Sequence, residues 1–518
     1  MEERYIAAID LGTSKLGVCV ASIRNQNVQI IYYKESPSAG IRNSCVTVPG
    51  KVLGKVRDAI SDAQNALKIT IHQVVVGLPR WQVVQETASA TTDRDDCGKF
   101  ISESEVRTLK SDALKSYPLK DSKKDIIYGA VAQSYSTEDC VNEPESEIIG
   151  MSAEKLEGNF KVFIGSRTYS TNIDKLFASM GIGIARKFFI PGITAKAILK
   201  AEEMENGVAL IDIGAGVSSV TIFKDNLMRY YAAIPFGGDS ITKDIESVCG
   251  FTNNMAENIK KAYGACMPDK LSTLGDKVIQ IKNEDGKPFK RLSVKVLSEI
   301  INARMEEIVN ALLYKIQESG LSSEDYLKRG LVVTGGGAEL LNCINLFKEL
   351  SGYSVKLGLP NRYVDCKDCP EASASSASTA IGMILALKGD RSVNCIEYYM
   401  PEKQPQEPSV TPSEPEDTKK PAPDFRPEEP SSPADSPVDE VGGNSTETTD
   451  TEKAEPAENP DSSVNSSVDN EPHGTSPEKE KEPEPNDNGK KKKKQTFFWK
   501  KVVDKVVDSI MDETKEEI

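Results

Sequence analysis

Apolar and polar residues follow two different periods along the first 400 residues. Continuous apolar runs, as in 73–78 and in both halves of 208–223, predict buried strands. Apolar residues spaced three and four apart predict amphipathic helices, which cover residues 52–67, 102–116, 171–180 and 292–317. A run of small apolar residues from 373 to 387 predicts a closing helix packed tightly on a sheet. Together these patterns predict an α/β protein with helices layered on sheets.

Two of the predicted strand pairs are joined by the same kind of turn. The first turn has Asp10 followed by Gly12, and the second has Asp212 followed by Gly214 and Gly216. Glycine lacks a Cβ, so the backbone N–H groups of such a turn can approach a phosphate closely. One Gly-x-Gly turn alone is equally typical of a plain hairpin. The repetition of the whole strand–turn–strand unit favours a duplicated phosphate-binding unit.

A third glycine turn, Thr334-Gly335-Gly336-Gly337, also follows an apolar strand. Two Asp-x-Gly hairpins followed by this turn resemble the actin-like ATPase superfamily. The resemblance implies an actin-like ATPase fold of duplicated ribonuclease-H-like domains, in which the hairpins hold the phosphates of ATP and the third turn holds the adenosine. The expected nucleotide-binding residues are Asp10, Gly12, Thr13, Ser14, Lys15, Asp212, Gly214, Gly216, Val217, Ser218, Gly335, Gly336 and Gly337. Mg²⁺ is expected with ATP, held through water by Asp10 and Asp212.

Residues 83–165 differ in character from the segments around them. A polar stretch is followed by the predicted helix 102–116 and by strand-like segments at 125–135 and 159–165, which together predict an inserted α+β subdomain. The run from Ile149 to Leu156, which contains Gly150-Met151, resembles the insert of the FtsA family of bacterial cell-division proteins. Residues 234–245 and 256–264 resemble FtsA segments as well, and the resemblance covers Tyr5 to Leu387.

The FtsA resemblance implies a function as well as an FtsA-type insert. Such a protein binds ATP, self-assembles into filaments and anchors the tubulin-like FtsZ ring to the membrane, together with other division proteins. Glu257 and Lys260 would lie against the ribose and adenine of the nucleotide. From the residues alone, Glu257 and Lys260 are an ordinary i,i+3 pair on a helix surface, and Lys15 is either a phosphate contact or a surface lysine.

Hydrolysis of ATP is expected to be weak or absent. In actin-like proteins, a Gln or Glu before the second hairpin positions the attacking water, and Lys196 occupies the matching place in the stretch 194–199. A charged lysine cannot accept a proton from water. Ser218-Ser219 also departs from the Thr-Thr or Thr-Asp that is common after the second glycine pair.

The charge distribution, the two histidines and the cysteine spacing limit the kinds of function that the chain could have. Residues 401–489 contain 24 acidic and 7 basic residues and 17 of the 28 prolines, which predicts a disordered acidic linker. Residues 1–400 are nearly neutral in sum, which argues against nucleic acid as a partner. Only two histidines are present, so Ser-His-Asp and histidine–metal chemistry are disfavoured. Cys366 and Cys369 form a lone C-x-x-C, which is a poor zinc site.

The C-terminal segment 490–518 combines a lysine run with an apolar stripe. On a helix the stripe would form one face, while the remaining lysines and the aspartates would lie elsewhere. The expected membrane-binding residues are Lys490, Lys491, Lys492, Lys493, Lys494, Phe497, Phe498, Trp499, Val502, Val503, Val506, Val507, Ile510 and Met511. A helix packed on the core shows the same pattern, and a lysine run is also typical of nuclear signals or nucleic-acid patches. The long linker and the aromatic residues favour an amphipathic helix on an anionic membrane surface.

The expected localisation is therefore peripheral, on the cytoplasmic face of the inner membrane at the division site. The opening residues lead straight into a predicted strand, so we expect no signal peptide. No stretch is long and apolar enough to cross a bilayer.

The patterns divide the chain into seven expected segments. They are 1–82 and 166–205 as two parts of actin-like domain I, 83–165 as the insert, 206–360 as domain II with an outer subdomain at about 240–325, 361–400 as the closing helix region, 401–489 as the linker and 490–518 as the membrane-targeting segment. Two alternatives remain open: a sugar or small-molecule kinase of the same superfamily, and another actin-like membrane scaffold for pilus assembly or shape determination.

Overall fold

The computed structural model of the chain describes residues 3–94, 98–282 and 288–398. The linker and the membrane-targeting segment predicted for 401–518 lie outside the described residues. No helix in the described ranges combines the length and the apolar character needed to cross a membrane.

The chain begins with the strands and the helix of a first lobe. Continuous apolar runs make most of these strands buried on both faces. Helix α1 buries one stripe that includes Val52, Val56 and Ile60. The elements are β1 (Arg4–Leu11), β2 (Lys15–Arg24), β3 (Asn27–Pro37), β4 (Ile41–Arg42), β5 (Cys45–Val46), α1 (Pro49–Leu67), β6 (Ile69–Ile71) and β7 (Gln73–Leu78).

An insert with its own sheet interrupts the first lobe. Its elements are β8 (Val84–Asp93), α2 (Glu103–Ser116), β9 (Asp125–Ser136), α3 (Glu145–Ile148) and β10 (Lys155–Ser166). The three strands form one antiparallel sheet in the order β8-β10-β9. A separate apolar core lies beneath this sheet, and in it the rings of Tyr135 and Phe160 meet edge to face at 5.9 Å.

The chain then completes the first lobe and builds a second one. The next elements are α4 (Arg167–Ala178), β11 (Gly183–Phe189), α5 (Ile190–Ile198), α6 (Ala201–Asn206), β12 (Val208–Ile213), β13 (Ser218–Lys224), β14 (Leu227–Ile234), α7 (Gly238–Cys249), α8 (Asn253–Tyr263), β15 (Val278–Lys282), β16 (Pro288–Ser293), α9 (Val294–Glu318), β17 (Leu331–Thr334), α10 (Cys343–Ser351), β18 (Val355–Leu357), α11 (Ser378–Ala386) and β19 (Ile396–Tyr398).

The two lobes repeat one sheet topology. The first sheet has the order β11-β7-β1-β2-β3 and the second has the order β18-β17-β12-β13-β14. In each sheet three strands form an antiparallel meander. The first strand of that meander pairs in parallel with one later strand, which in turn pairs in parallel with a second. Each lobe has its own apolar core. The repeated topology is that of two ribonuclease-H-like domains.

Helix α11 belongs to the first lobe, although it follows the second lobe in sequence. It packs on β1 and on α5. Gly382 permits this close approach, because a Cβ there would collide with the carbonyl group of Ile193. The closing helix predicted from 373 to 387 is therefore present, but it begins only at Ser378 because two short 3₁₀ turns precede it.

The structure differs from the sequence predictions at the start of the insert and at the start of the long helix. The polar stretch that opens the insert is the ten-residue strand β8, which the sequence did not predict because only Ala88 in it is buried, so the apolar alternation is absent. The long helix predicted from Leu292 begins at Val294, since Leu292 lies in β16 and Ser293 is the N-cap.

Candidate functional site

The two Asp-x-Gly turns have the same local construction in both lobes. Gly12 lies between β1 and β2, and a Cβ there would come within 2.6 Å of the carbonyl oxygen of Lys15. Gly214 lies between β12 and β13, and a Cβ there would come within 2.8 Å of the carbonyl oxygen of Val217. Each turn therefore requires glycine at the same place, two residues after the aspartate.

The two turns face each other directly. A Cβ on Gly216 would lie 2.9 Å from the methyl carbon of Thr13 in the other lobe. Thr13 is held in place because its hydroxyl accepts a hydrogen bond from the backbone N–H of Ser44, at 3.0 Å. The missing side chain of Gly216 is thus what allows the hairpins of the two lobes to approach.

The third glycine turn joins the same edge. Strand β17 pairs in parallel with β12, so Thr334 is the register partner of Asp212 and both strands end together. Gly335 adopts a φ of +86°, and a Cβ there would lie 2.5 Å from a carboxylate oxygen of Asp212. Ligands commonly bind beyond the carboxyl ends of parallel strands in such sheets.

These turns surround a cleft of about 1130 Å³. Most of the residues that the sequence nominated for nucleotide binding line it. They are Asp10, Gly12, Thr13, Ser14, Lys15, Asp212, Gly214, Val217, Glu257, Lys260, Gly335, Gly336 and Gly337. The cleft is large enough for a nucleotide, since small-molecule sites in proteins are typically about 300–1,000 Å³.

Three residues that the sequence singled out do not line the cleft. Ser218 is fully buried, and its hydroxyl donates to the carbonyl oxygen of Phe236 at 2.7 Å, so it supports the hairpin from behind. Gly216 faces Thr13 rather than lining the cleft. Lys196 is exposed on α5, whereas Ile190 at the start of that helix lines the cleft. Because 3.6 residues make one helical turn, a residue six positions after Ile190 lies on a different side of α5.

The cationic side chain of Lys15 already has protein partners in the cleft. Lys15 forms an ion pair with Glu35 and donates a hydrogen bond to the carbonyl oxygen of Ser376 at 3.1 Å. Burial by itself would raise the pKa of Glu35, but Lys15 and the hydroxyls of Tyr33 and Ser376 together outweigh burial, and the pKa is lowered. A phosphate that reached Lys15 would therefore compete with Glu35.

Glu257 and Lys260 form a second polar cluster on α8. Lys260 is buried, and its Nζ donates to the carbonyl oxygen of Gly238 at 2.9 Å, to the Thr242 hydroxyl at 2.7 Å and to Glu257 at 2.6 Å. Burial opposes ionisation of Glu257, but Lys260 outweighs it, and the pKa of Glu257 is lowered. This cluster joins α7 to α8 at the edge of the cleft, so a nucleotide would meet a preformed polar surface.

The sequence interpretation missed Arg80. It lies two residues after the end of β7, and its guanidinium Nη1 forms an ion pair with Asp212 of the other lobe. The backbone of the same residue is also held across the cleft, because the hydroxyl of Tyr231 donates to its carbonyl oxygen. A charged residue just beyond the carboxyl end of a buried strand was the available signal.

The charges around Arg80 act on one another. Burial by itself would lower the pKa of Arg80, but the carboxylates of Asp212 and Asp10 outweigh it, and the pKa is raised. Burial raises the pKa of Asp10, although Arg80 and Lys15 oppose that change. Two carboxylates and one guanidinium therefore share the space between the two lobes.

The carboxylates in the cleft are the groups that could contact a divalent cation. The described residues contain no cluster of three or more histidine, cysteine or acidic side chains that could hold a metal ion. Asp10 and Asp212 could still contact a hydrated Mg²⁺ through water. Arg80 already bonds to one carboxylate oxygen of Asp212, so such an ion would share that carboxylate with it.

Comparisons with known proteins give one family. Residues 209–382 match the family model described as cell division protein FtsA. The chain is 28% identical over 388 residues to cell division protein FtsA of Neisseria meningitidis serogroup B, covering 74% of this chain and 90% of that relative. It is 24% identical over 416 residues to the FtsA of Bacillus subtilis, covering 79% and 90%. The resemblance to FtsA proteins is therefore confirmed.

A solved structure of the PilM-PilN type IV pilus biogenesis complex has a similar fold. The TM-score is 0.53 at 13% sequence identity, and the match covers 74% of this chain and 98% of that chain. At this identity the likeness concerns the fold alone. Together with the duplicated topology, it confirms the actin-like ATPase fold.

Proposed function

We propose that this chain is an ATP-binding division protein that self-assembles and links an FtsZ ring to the inner membrane. The observation that carries the proposal is the convergence of three glycine turns from two similar lobes on one cleft. The similarity to cell division protein FtsA over most of the described chain supports the role in division. The domain division expected from the sequence is part of the same proposal.

In this proposal, the chain's own residues divide the work of holding ATP. The turns at Gly12 and Gly214 leave backbone N–H groups open to the phosphates, because no Cβ shields them. The turn at Gly335 and the cluster of Glu257 and Lys260 receive the nucleoside. Mg²⁺ would supply charge neutralisation when bound, and Asp10 and Asp212 are the carboxylates that would hold it through water.

Hydrolysis of ATP is proposed to be weak because of the side chain that α5 presents to the cleft. Ile190, not Lys196, is the α5 residue that lines the cleft. An aliphatic side chain can neither accept a proton from water nor orient it by a hydrogen bond. Bound ATP would then act mainly by holding the two lobes together, which suits a protein that assembles rather than a kinase.

The partners and the location follow from the family and from the tail. FtsA-like proteins are expected to bind FtsZ, other division proteins and further copies of themselves. The segment 490–518 is proposed to bind the anionic cytoplasmic face of the inner membrane. The FtsA relatives favour this role over the kinase and over the other scaffolds.

A single glycine tests the proposed nucleotide site. Gly216→Val would push against Thr13 and separate the two hairpins, so ATP affinity should fall by about tenfold or more, or about 1.4 kcal/mol. The matched control is Gly54→Ala in α1, where a Cβ would meet no atom within 4 Å. ATP binding by the purified full chain would be measured by displacement of a fluorescent ATP analogue.

Equal ATP affinity in wild type and Gly216→Val would contradict the proposed site. The proposed partner is tested with the same wild-type sample, because FtsZ should sediment with anionic vesicles when the chain is present and should not when it is omitted. Turnover in these samples should lie well below the roughly 1–100 per second that is typical of kinases.

A further inference from the structure

The guanidinium of Arg80 lies between the two lobes at the place where phosphates are expected. The loop that carries it belongs to the first lobe, while its ion-pair partner Asp212 belongs to the second. The side chains of Arg80 and Asp212 are only 13% and 11% exposed. The backbone of Arg80 is fixed from both sides, because its N–H donates to Ser44 and its carbonyl oxygen accepts from Tyr231. The position of the guanidinium is thus well determined by the fold.

The second hairpin makes room for this side chain. A Cβ on Gly214 would lie 2.9 Å from Nη2 of Arg80. The glycine that opens the turn to a phosphate is therefore also the one that lets the guanidinium reach the turn. Arg80 lines the cleft beside Asp10, Asp212 and Gly214.

One N–H group of the Arg80 guanidinium makes no hydrogen bond to the described residues. Within the part of the chain that the structure describes, Nε of Arg80 is buried and has no hydrogen-bond partner. A buried N–H that lacks an acceptor is unfavourable, so an incoming acceptor at this point would be stabilising. Guanidinium groups bind phosphate oxygens well, because their fork of N–H donors matches the geometry of the anion.

We infer that Arg80 is a phosphate-binding residue that supplies, from within the chain, the positive charge that a divalent cation otherwise supplies in this cleft. The inference rests on the proposed nucleotide binding. Arg80 offsets part of the negative charge of Asp10 and Asp212 when the cleft holds no anion, and it contacts the phosphates when ATP is present. A hydrated cation at Asp212 must compete with it.

The inference predicts that ATP binding depends little on Mg²⁺. Removing Mg²⁺ with EDTA should weaken ATP binding by wild type less than about threefold, which is a change of under 1 kcal/mol. Arg80→Gln should bind ATP at least about thirtyfold more weakly in EDTA and should recover much of that loss in Mg²⁺, because the ion then replaces the missing charge. Arg80→Lys keeps a positive charge but loses the fork of N–H donors. Its ATP affinity in EDTA should therefore lie between those of wild type and Arg80→Gln.

The matched control removes an Arg–Asp pair away from the cleft. Arg304 donates to both carboxylate oxygens of Asp244, at 2.5 and 2.9 Å, and does not line the cleft. Arg304→Gln should therefore bind ATP as wild type does, with and without Mg²⁺. Thermal unfolding of each variant would show that it is folded before its affinity is compared.

Two results would overturn the inference. One is a wild-type protein whose ATP binding falls more than about tenfold in EDTA, since the cation would then be essential. The other is a folded Arg80→Gln variant whose affinities match those of wild type in both conditions. Both leave ATP binding itself intact, whereas a wild-type chain that binds no ATP in any condition would refute the proposed function as well.

Discussion

Among single residues, Gly77 and Ile190 are coupled at the base of the cleft. Gly77 lies in β7, and a Cβ there would come within 2.6 Å of Cγ1 of Ile190. Ile190 is buried, so it has little freedom to move aside. Gly77→Ala should therefore lower the free energy of unfolding by about 1–3 kcal/mol, as overpacking usually does.

A second substitution tests whether this contact is the cause. Ile190→Ala removes the two carbons that meet the new Cβ, although alone it should cost about 2–5 kcal/mol by leaving a cavity. The double variant should be more stable than the sum of the two effects by about 1 kcal/mol or more. Strictly additive effects in denaturant unfolding would show that Gly77 is required for another reason.

The residues that sequence reasoning could find are those with local requirements. Gly12 and Gly214 were predictable because each turn excludes a Cβ whatever surrounds it. Arg80 was not predicted, since its partner Asp212 is 132 positions away and only the closed fold brings them together. The placement of Lys196 away from the cleft was not predicted, because position in the sequence does not tell which side of a helix faces a cleft.

Among the elements, the insert depends on the start of α2. Ser102 and Glu105 form a capping box there, since the Ser102 hydroxyl accepts from the Glu105 N–H and Glu105 accepts from the Ser102 N–H at 2.8 Å. Arg94 at the end of β8 donates to the other oxygen of Glu105 at 2.9 Å and to the carbonyl oxygen of Ala153. One cap thus joins a helix, a strand and a loop of the insert.

Ser102→Ala should destabilise the insert by about 1 kcal/mol, the usual effect of losing an N-cap. Amide hydrogen exchange in α2 is the measurement, and Ser111→Ala inside the same helix is the control, because alanine is the better helix former there. Unchanged exchange in Ser102→Ala would mean that Arg94 alone orders the start of α2.

The same cap gives the insert a dependence on pH. The backbone N–H of Ser102, followed by Arg94, lowers the pKa of Glu105. A carboxylate with a lowered pKa stabilises the folded state at pH values above its ordinary pKa, and the stabilisation is lost as the pH falls through the lowered value. Protection of α2 should therefore decrease on acidification below the ordinary carboxylate range, and it should decrease less in Glu105→Gln.

Elements with a clear periodicity of apolar residues were predicted well from the sequence, and elements without it were not. The strand at 73–78 and the helix in 102–116 agree with β7 and α2 to within a residue. Strand β8 lacks apolar alternation because both of its faces are largely exposed at the edge of the insert's sheet. Its place is determined by ten residue pairings with β10, which no local pattern reveals.

For the whole molecule, the duplication explains why two weak local signals become one site. In each lobe the turn between the first two strands of the sheet lies at the same edge, because the two sheets have the same strand order. The equivalent turns of the two lobes therefore face each other. The repeat could be inferred from the sequence because both copies retain Asp-x-Gly. The relative placement of the lobes could not be inferred, because it depends on contacts such as Arg80 with Asp212 and Tyr231.

The proposed attachment of the whole molecule to a membrane depends on its tail, residues 490–518. The tail lies outside the described residues, and its sequence alone supports the proposed attachment. Its apolar stripe is too short to span a bilayer and would lie in the interface, with Trp499 and Val503 buried among the lipids. The five lysines at 490–494 add about 1 kcal/mol each near an anionic surface, an attraction that salt weakens.

Replacing Trp499 and Val503 by Glu should release the full chain from anionic vesicles in a sedimentation assay. Replacing both by Leu is the matched control and should leave binding intact, because the stripe remains apolar. Raised salt should weaken wild-type binding only in part, since burial of the stripe does not depend on charge. Were a chain ending at residue 489 to sediment with vesicles as well as the full chain does, the anchor would lie in the core or the linker, and the tail would need another role.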